Sequence, residues 1–315
     1  MTETIHETVV IGSGPAGYTA AIYLARSNIM PLILEGPVPG GQLTITTDVE
    51  NYPGFVDGIL GPDLMERMRD QAKRLGATIM SATAISLRNN AAPFELEIED
   101  NLGRAGLIKA KTLIVATGAS ARFLGLPKEQ ELMGYGVSAC ATCDAAFYRD
   151  KHVAVMGGGD TAMEEAIFLT RFAKRVTLIH RREGFRAAQV MVDKARANAK
   201  IDWKLNYIVV DMQGTAKTGL ESLTLENTLT KEREQFDCDG LFVAIGHTPN
   251  TEFLGDKIAK SESGYILTSH DTTTNIPGVF ACGDVADQVY RQAVLAAGRG
   301  CMAAIDCKNY LENLG

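Results

Sequence analysis

Apolar runs alternate with glycine-rich turns and amphipathic segments along this chain, which is the pattern of β-α-β units. Residues 7–11 predict a buried strand, residues 15–27 predict a helix, and residues 32–34 predict a second strand that ends at Glu35. Short apolar runs separated by a helix are typical of parallel strands that are covered on both faces. The first part of the chain therefore predicts a Rossmann-type unit.

A second unit repeats this pattern. Residues 153–156 predict a strand, residues 162–172 a helix, and residues 176–179 a strand that ends at His180. Glu35 lies 23 positions after Gly12, and His180 likewise lies 23 positions after Gly157. The matched spacing predicts an α/β protein with two Rossmann-like dinucleotide-binding domains.

The remaining apolar runs suggest that the first domain is discontinuous. Residues 113–115 run into Ala116-Thr117-Gly118, and residues 241–244 run into Ile245-Gly246, as strands do where a chain crosses between domains. Residues 279–284 predict a strand that returns to the first domain. We therefore expect a first domain at 1–118 and 248–315, with a second domain, 119–247, inserted into it.

Composition limits the possible functions. A chain of 315 residues, 46% hydrophobic and 22% charged, has the size and balance of about two globular domains. The formal net charge of −7 argues against general nucleic-acid binding. No basic segment precedes an apolar run at the start, and no apolar stretch approaches the roughly 20 residues of a membrane span. We therefore expect a cytoplasmic protein, in which closely spaced cysteines are redox-active or bind metal.

The first glycine-rich turn comprises Gly12, Ser13, Gly14, Pro15, Ala16 and Gly17. It lies between a predicted strand and a predicted helix, where a fingerprint turn holds a pyrophosphate against the helix N-terminus. Glu35 occupies the position that accepts hydrogen bonds from a ribose. The alternatives are a structural turn and a solvated carboxylate at the end of a strand.

The second turn contains Gly157, Gly159, Asp160 and Thr161, and the ribose position is occupied by His180. Arg181, Arg182 and Arg186 follow. Guanidinium groups bind a 2′-phosphate, whereas a carboxylate at this position would repel it. The second site is therefore predicted to take NADPH rather than NADH. The alternative is a solvated basic end of a strand.

Cys140 and Cys143 lie between the two turns with the spacing of a redox dithiol. This order of parts predicts that electrons pass from one dinucleotide through the other to sulfur. An inert pair and a zinc site are the alternatives, but zinc needs two further ligands and the chain has no second pair of this spacing. We therefore expect no metal. We interpret the other cysteines as small buried hydrophobic residues, namely Cys238, Cys282, Cys301 and Cys307.

Asp144 follows the pair directly. It is placed to donate a proton to a departing thiolate or to a reduced flavin, as general acids do when held close. Capping a helix after Cys143 is the alternative, and the two roles are compatible.

These motifs, in this order and over nearly the whole chain, resemble those of the bacterial low-molecular-weight thioredoxin reductases. The similar segments are Gly12–Gly17, Gly40–Leu43, Ala116–Gly118, Cys140–Asp144, Gly157–Asp160, His180–Arg182, Gly283–Asp284 and Tyr290–Ala293. The resemblance implies FAD in the first domain, NADPH in the second and thioredoxin as the disulfide substrate. It also implies a homodimer in the cytoplasm.

The resemblance further implies roles for single residues. Cys143 would be the thiol nearest the flavin, Cys140 would attack the disulfide of thioredoxin, and Asp144 would be the acid. Arg181, Arg182 and Arg186 would hold the 2′-phosphate of NADPH. The FAD site would include Glu35, Gly36, Gly40, Gly41, Gln42, Leu43, Asn51, Ala116, Thr117, Gly118, Gly283, Asp284, Arg291, Gln292 and Ala293.

The chain departs from the pattern of these enzymes at two places. Ala145-Ala146 stands where Gly-Phe is expected, and Cys282 stands where alanine is usual. We expect Cys282 to be a buried, unreactive replacement rather than an additional oxidisable thiol. Two other functions stay open: a flavin-dependent dithiol oxidase that runs without NADPH, and a flavin redox module for another disulfide partner.

Overall fold

The computed structural model describes residues 4–269 and 272–314. Its strands, in chain order, are β1 (Ile5–Ile11), β2 (Leu32–Leu34), β3 (Asp48–Val49), β4 (Ile59–Leu60), β5 (Thr78–Met80), β6 (Ala82–Leu87), β7 (Phe94–Asp100), β8 (Ala105–Val115), β9 (Ala119–Ala121), β10 (Val137–Ser138), β11 (His152–Gly157), β12 (Arg175–His180), β13 (Ile201–Leu205), β14 (Tyr207–Thr215), β15 (Gly219–Asn227), β16 (Arg233–Asp237), β17 (Gly240–Ala244), β18 (His247–Pro249) and β19 (Val279–Ala281).

Its α-helices are α1 (Pro15–Arg26), α2 (Gly61–Arg74), α3 (Ala141–Asp144), α4 (Asp160–Leu169), α5 (Gln189–Arg196) and α6 (Ala293–Glu312). Short 3-10 helices form at Gly41–Ile45, Ala145–Tyr148, Glu252–Leu254 and Gly283–Val285. Within the described part of the chain, none of the helices combines the length and the apolarity that a transmembrane segment requires.

The chain divides into two compact units. Unit 1 is Met1–Ser120 with Thr248–Gly315. Its main sheet has the order β5-β2-β1-β8-β7-β6, and β19 pairs with β8. Strands β5, β2, β1, β8 and β19 are parallel to one another, whereas β7 and β6 extend the sheet antiparallel. Helix α1 connects β1 to β2, so the carboxyl end of β1 leads into the start of α1. Helix α1 also packs against α6.

Unit 2 is Ala121–His247. Its parallel sheet has the order β10-β17-β11-β12-β13, and β14, β15 and β16 form a separate antiparallel sheet. Helix α4 connects β11 to β12, which places the second glycine-rich turn between β11 and α4. In parallel sheets of this kind, ligands bind beyond the carboxyl ends of the strands.

The structure confirms the α/β class and both β-α-β units, and β2 has the predicted bounds. The predicted helix 162–172 is wrong at both ends. It begins at Asp160 and ends at Leu169, because the backbone N–H groups of Arg171 and Phe172 donate to carbonyls three residues back and tighten the chain into a turn. The predicted strand 279–284 ends at Ala281, since Gly283 has a φ of +73° and starts a 3-10 turn.

Candidate active site

Cys140 and Cys143 form a disulfide, with their Cα atoms 5.4 Å apart. Cys140 precedes the single turn of α3, and the backbone N–H of Cys143 donates to its carbonyl at 3.2 Å. The side chain of Cys143 is exposed, and that of Cys140 is half-buried beside the hydroxyl of Thr142, 3.4 Å from its sulfur. The turn of α3 thus presents a disulfide that a second disulfide can approach.

Asp144 is the last residue of α3 and is half-buried. Burial raises the pKa of its carboxyl group, and a hydrogen bond with Ser138 opposes this rise. The same Ser138 hydroxyl accepts the backbone N–H of Cys140 at 3.0 Å, so Ser138 lies between the acid and the disulfide. The helix-capping alternative is wrong, because the Asp144 side chain makes no cap hydrogen bond. A raised pKa favours the protonated form that a proton donor needs.

Ala145 and Ala146 differ in burial, and an aromatic residue follows them. Ala145 is buried in the core beneath α3, whereas Ala146 and Phe147 are exposed. Phe147 has 40% of its surface exposed and lies four positions after Cys143. The 3-10 turn that follows the disulfide therefore presents this aromatic ring to solvent, beside a small side chain.

The first glycine-rich turn is built from close backbone contacts. Gly12 has a φ of +109°, and a Cβ there would overlap the carbonyl of Ala116. A Cβ on Gly17 would overlap the carbonyl of Gly12. Gly14 differs, because it caps α1 without a side-chain hydrogen bond and faces open space out to 4 Å. The uncapped start of α1 therefore fits a pyrophosphate, which would accept hydrogen bonds from its free N–H groups.

Glu35 is buried, with 3% of its surface exposed, so its interpretation as a solvated carboxylate is wrong. Its carboxylate accepts hydrogen bonds from Arg69 Nε at 2.8 Å, from Ser81 Oγ at 2.9 Å and from the Tyr18 hydroxyl at 3.3 Å. Burial alone would raise the pKa of Glu35, but the partners, led by Arg69, outweigh it and lower that pKa. The contact of Glu35 with a ribose stays a prediction.

Ser13 joins three of the predicted segments. Its hydroxyl donates to the carbonyl of Glu35 at 2.8 Å and accepts the backbone N–H of Gly40 at 2.9 Å. Gly41 lies against the first turn, since a Cβ added to it would stand 3.5 Å from the Cα of Gly14. The segment that contains Gln42 and Leu43 follows directly as a 3-10 helix. The structure thus brings residues 12–17, 35–36 and 40–43 together in unit 1.

Asn250 holds the segment Ala116-Thr117-Gly118 in place through hydrogen bonds, a role that the sequence did not indicate. Its side-chain amide donates to the carbonyl of Thr117 at 2.9 Å, and the Thr117 hydroxyl donates to its backbone carbonyl at 2.7 Å. The backbone N–H of Asn250 also donates to the carbonyl of Gly118 at 3.0 Å. The turn residue at position 250 therefore sets the course of a chain segment that lies 133 positions earlier.

Asp287 is a second functional candidate that the sequence did not reveal. It has 6% of its surface exposed, and its carboxylate accepts the backbone N–H groups of Val289, Tyr290 and Arg291 at 2.9, 3.0 and 3.2 Å. Arg291 has a φ of 47°, a conformation that non-glycine residues adopt only when held. An aspartate two to four residues before the bonded N–H groups is a recognisable turn signal.

The turn at 287–292 lies beside Asn51 and Asp284, two further residues of the predicted FAD site. Asn51 Nδ2 donates to Gln292 Oε1 at 3.3 Å, and Gln292 precedes Ala293, the first residue of α6. Burial, and after it the charge of Asp287, raises the pKa of Asp284 to about 6, while Arg291 opposes the rise. Asn51, Asp284, Arg291, Gln292 and Ala293 are thus grouped in unit 1.

The second turn encloses the ring of His180. A Cβ on Gly158 would overlap this ring, so only glycine fits there, and His180 has 7% of its surface exposed. Burial lowers the pKa of His180, and the charges of Arg182 and Arg181 lower it further. Gly159, which caps α4, faces open space out to 4 Å. His180 is thus a buried support of the turn, and the uncapped start of α4 fits a pyrophosphate.

The three arginines follow this support directly. Arg181, Arg182 and Arg186 are all exposed, and none forms an ion pair with another residue in the described ranges 4–269 and 272–314. The backbone N–H of Arg186 donates to the carbonyl of Gly158 at 2.8 Å, and Asp160 Oδ1 accepts the N–H of Ala188 at 2.8 Å. These bonds hold the segment beside the second turn. Three exposed guanidinium groups there fit a 2′-phosphate.

The other cysteines only partly follow expectation. Cys238, Cys282 and Cys307 are buried, but Cys301 is half-buried and interacts with the Tyr23 hydroxyl, so its interpretation as a buried residue is wrong. Cys282 has none of its surface exposed, and burial raises its pKa to about 12. The prediction that Cys282 is buried is confirmed, and its lack of reactivity stays a prediction.

The chain is similar to known proteins over nearly its whole length. It is 50% identical over 313 residues to a bifunctional thioredoxin reductase/thioredoxin of Mycobacterium leprae, covering 98% of this chain and 66% of that protein. A thioredoxin reductase of Streptomyces clavuligerus is 49% identical, with 98% of this chain and 95% of that protein covered. A solved thioredoxin reductase from Giardia duodenalis superimposes with a TM-score of 0.91 at 38% identity, over 98% of this chain and 100% of that one.

A family model agrees with these similarities. The model described as pyridine nucleotide-disulphide oxidoreductase matches residues 6–300, which include both glycine-rich turns and the disulfide. The chain belongs to the pyridine nucleotide-disulphide oxidoreductase family.

Proposed function

We propose that this protein is a thioredoxin reductase, which uses NADPH and FAD to reduce the disulfide of thioredoxin. The observation that carries the proposal is the accessible Cys140–Cys143 disulfide in the same unit as a glycine-rich turn flanked by three exposed arginines. The names of the similar proteins from Mycobacterium leprae and Streptomyces clavuligerus support this substrate.

Each unit would bind one cofactor. The first domain, 1–118 with 248–315, would hold FAD between the turn at Gly12–Gly17 and the group formed by Asn51, Asp284 and residues 291–293. The second domain, 119–247, would hold NADPH at the turn Gly157–Thr161, with the three arginines on its 2′-phosphate. The open space at Gly14 and Gly159 supports both assignments.

The reaction transfers two electrons and two protons to a disulfide. When bound, NADPH and FAD would together supply the two electrons, as a hydride equivalent, that reduce the Cys140–Cys143 bond. The Cys140–Cys143 bond is then broken, and both sulfurs are reduced. The Cys140 thiolate attacks the disulfide of thioredoxin, which forms a mixed disulfide and releases one thiol of the substrate. Cys143 attacks the mixed disulfide, releases the second thiol and restores the Cys140–Cys143 bond.

Asp144 would supply a proton during this cycle. Its carboxyl group has a raised pKa and lies one residue from Cys143, with Ser138 between it and the backbone of Cys140. A protonated carboxyl group at this place can donate to a thiolate as the disulfide opens, and can recover the proton from solvent.

The assembly and the location also belong to this proposal. We propose a homodimer in the cytoplasm, as the resemblance implies. Val294, Met302 and Ile305 are exposed on α6, and with the exposed Tyr23 on α1 they give an apolar surface that a second copy would cover. Light scattering after size exclusion would separate a dimer of about twice 33.9 kDa from a monomer.

The direct test is anaerobic NADPH consumption by the FAD-loaded protein, with and without oxidised thioredoxin. Sustained consumption that requires thioredoxin, and that Cys143→Ser abolishes, is the expected result. One stoichiometric burst in both samples would contradict thioredoxin as the substrate and favour another disulfide partner. Oxygen uptake driven by a dithiol without NADPH would favour the oxidase alternative.

A further inference from the structure

The segment that carries the three arginines has no regular secondary structure. We call residues 181–188 the arginine loop, which runs from the end of β12 to the start of α5. Its only large apolar side chain is Phe185, which is half-buried against the core of unit 2. A loop that must present three long, flexible side chains to one phosphate loses much conformational entropy on binding, unless it is already held in place.

Phe185 connects this loop to the core of the unit through two aromatic contacts. Its ring stacks on His180, with centroids 5.1 Å apart and planes 28° apart. Its ring also makes an edge contact with the ring of Trp203, with centroids 5.5 Å apart. The Arg196 guanidinium in turn lies 5.3 Å from the centroid of the Trp203 ring. Phe185 is therefore packed between His180, the last residue of β12, and Trp203 of β13.

The same loop is attached to the glycine-rich turn by hydrogen bonds. The backbone N–H groups of Arg186 and Ala187 donate to the carbonyl of Gly158 at 2.8 and 3.2 Å, and His180 Nε2 lies 3.2 Å from the carbonyl of Gly184. These bonds flank Phe185 on both sides in the sequence. The backbone bonds at 184, 186 and 187 and the stacked ring at 185 therefore hold the loop on His180 together.

We propose that Phe185 is a positioning residue that determines the selectivity of this site for a 2′-phosphate. The proposal rests on the NADPH site proposed above. The stack on His180 holds the arginine loop in the course that brings Arg181 and Arg182, on one side, and Arg186, on the other, to the same anion. Without the ring the loop has more conformations, and the phosphate must order the arginines at a cost in affinity.

Phe168 provides a matched control. It is also half-buried against the core cluster of unit 2, its ring contacts Phe172 at 5.7 Å, and the Arg171 guanidinium lies 5.2 Å from it. It differs in lying on α4 rather than in the arginine loop. A general loss of aromatic packing would therefore affect the two phenylalanine variants alike.

The experiment uses the FAD-loaded protein and two adenosine probes, 2′,5′-ADP and 5′-AMP, with dissociation constants from calorimetry. Phe185→Leu is expected to weaken the binding of 2′,5′-ADP by about three- to tenfold, the factor that an aromatic pair contributes. The dissociation constant of 5′-AMP should not change. Phe185→Tyr, which keeps the stacking face, should retain the affinity for 2′,5′-ADP. Phe168→Leu should leave both constants unchanged. In steady state, Phe185→Leu should raise KM for NADPH with kcat unchanged.

The outcomes separate this inference from the function on which it rests. Unchanged 2′,5′-ADP binding by a folded Phe185→Leu protein, or an equal loss for both probes, would overturn the role of Phe185 and leave the NADPH site intact. Wild-type protein that binds the two probes equally well would overturn the NADPH preference itself. If Phe185→Leu does not fold, Phe185→Met, which keeps the apolar volume without the ring, must show the same selective loss.

Discussion

The carboxylate of Asp287 accepts a hydrogen bond from the backbone N–H of Arg291 at 3.2 Å and so helps to hold Arg291 at a φ of 47°. Two further backbone N–H groups, those of Val289 and Tyr290, donate to the same buried carboxylate. The turn before α6 therefore depends on one side chain. Since Arg291 and Gln292 are proposed FAD ligands, loss of this carboxylate should affect the binding of that cofactor.

Asp287→Ala should lower both stability and FAD affinity. Removing the acceptor of three backbone N–H groups is expected to cost about 1–3 kcal/mol of unfolding free energy. The measurements are urea unfolding of the apoprotein and fluorescence titration of the apoprotein with FAD. Asp256→Ala, which removes an exposed aspartate of the same unit, is the control and should change neither. Normal FAD affinity in Asp287→Ala would contradict the role of this turn.

The raised pKa of Asp284 predicts a pH dependence of stability. The carboxyl group titrates near 6 in the folded protein and near 3.8 in the unfolded chain. The stability contributed by the protonated form is therefore complete below about pH 3.8 and is lost as the pH rises through about 6. Asp284→Asn removes this loss. The free energy of unfolding of the variant, relative to that of wild type, should therefore rise by about 3 kcal/mol between about pH 4 and pH 7. Parallel unfolding profiles of the two apoproteins would refute the shift.

Asp144→Asn should separate two half-reactions. Reduction of the bound flavin by NADPH should be unchanged, whereas opening of the disulfide should slow because the proton donor is missing. Stopped-flow flavin absorbance measures both. The raised pKa also predicts that the variant becomes more stable than wild type as the pH rises, because the ionised carboxylate is disfavoured by burial. Asp211→Asn, an exposed aspartate in the same unit, is the control.

Serine variants of the two cysteines should distinguish their roles. If Cys140 attacks thioredoxin, Cys143→Ser accumulates a mixed disulfide that nothing resolves, and Cys140→Ser does not. The experiment mixes each reduced variant with oxidised thioredoxin and separates the products on a non-reducing gel. Cys143 is the more exposed of the two side chains in the described structure, which makes this test necessary. A mixed disulfide only in Cys140→Ser would exchange the two roles.

The double variant Arg181→Ala, Arg182→Ala should lose preference for NADPH. Each charge-assisted hydrogen bond contributes about 1.5–3 kcal/mol, so KM for NADPH should rise at least about tenfold for each arginine that contacts the phosphate. KM for NADH should not change, because NADH has no 2′-phosphate. Steady-state kinetics with both cofactors measures the ratio. A ratio equal to that of wild type would show that these arginines do not bind the phosphate.

The two β-α-β units, the glycine-rich turns and the dithiol could be predicted from the amino-acid sequence alone. These features depend on neighbouring residues: apolar runs of strand length, a glycine such as Gly12 where φ is positive, and two cysteines three positions apart. The basic residues after β12 were recognisable for the same reason, as they follow His180 directly. The individual roles of Cys140 and Cys143 came from the resemblance, because the spacing of two cysteines does not show which of them attacks the substrate.

The residues that support these motifs became evident only from the packing of the folded chain. Glu35 is held by Arg69 and Ser81, 34 and 46 positions away, and Thr117 is held by Asn250, 133 positions away. The stack of Phe185 between His180 and Trp203 likewise requires β12 and β13 to be paired. No local pattern encodes such partners, because strand order and helix packing bring them together. Burial, which raises the pKa values of Asp144 and Asp284, arises from the same packing.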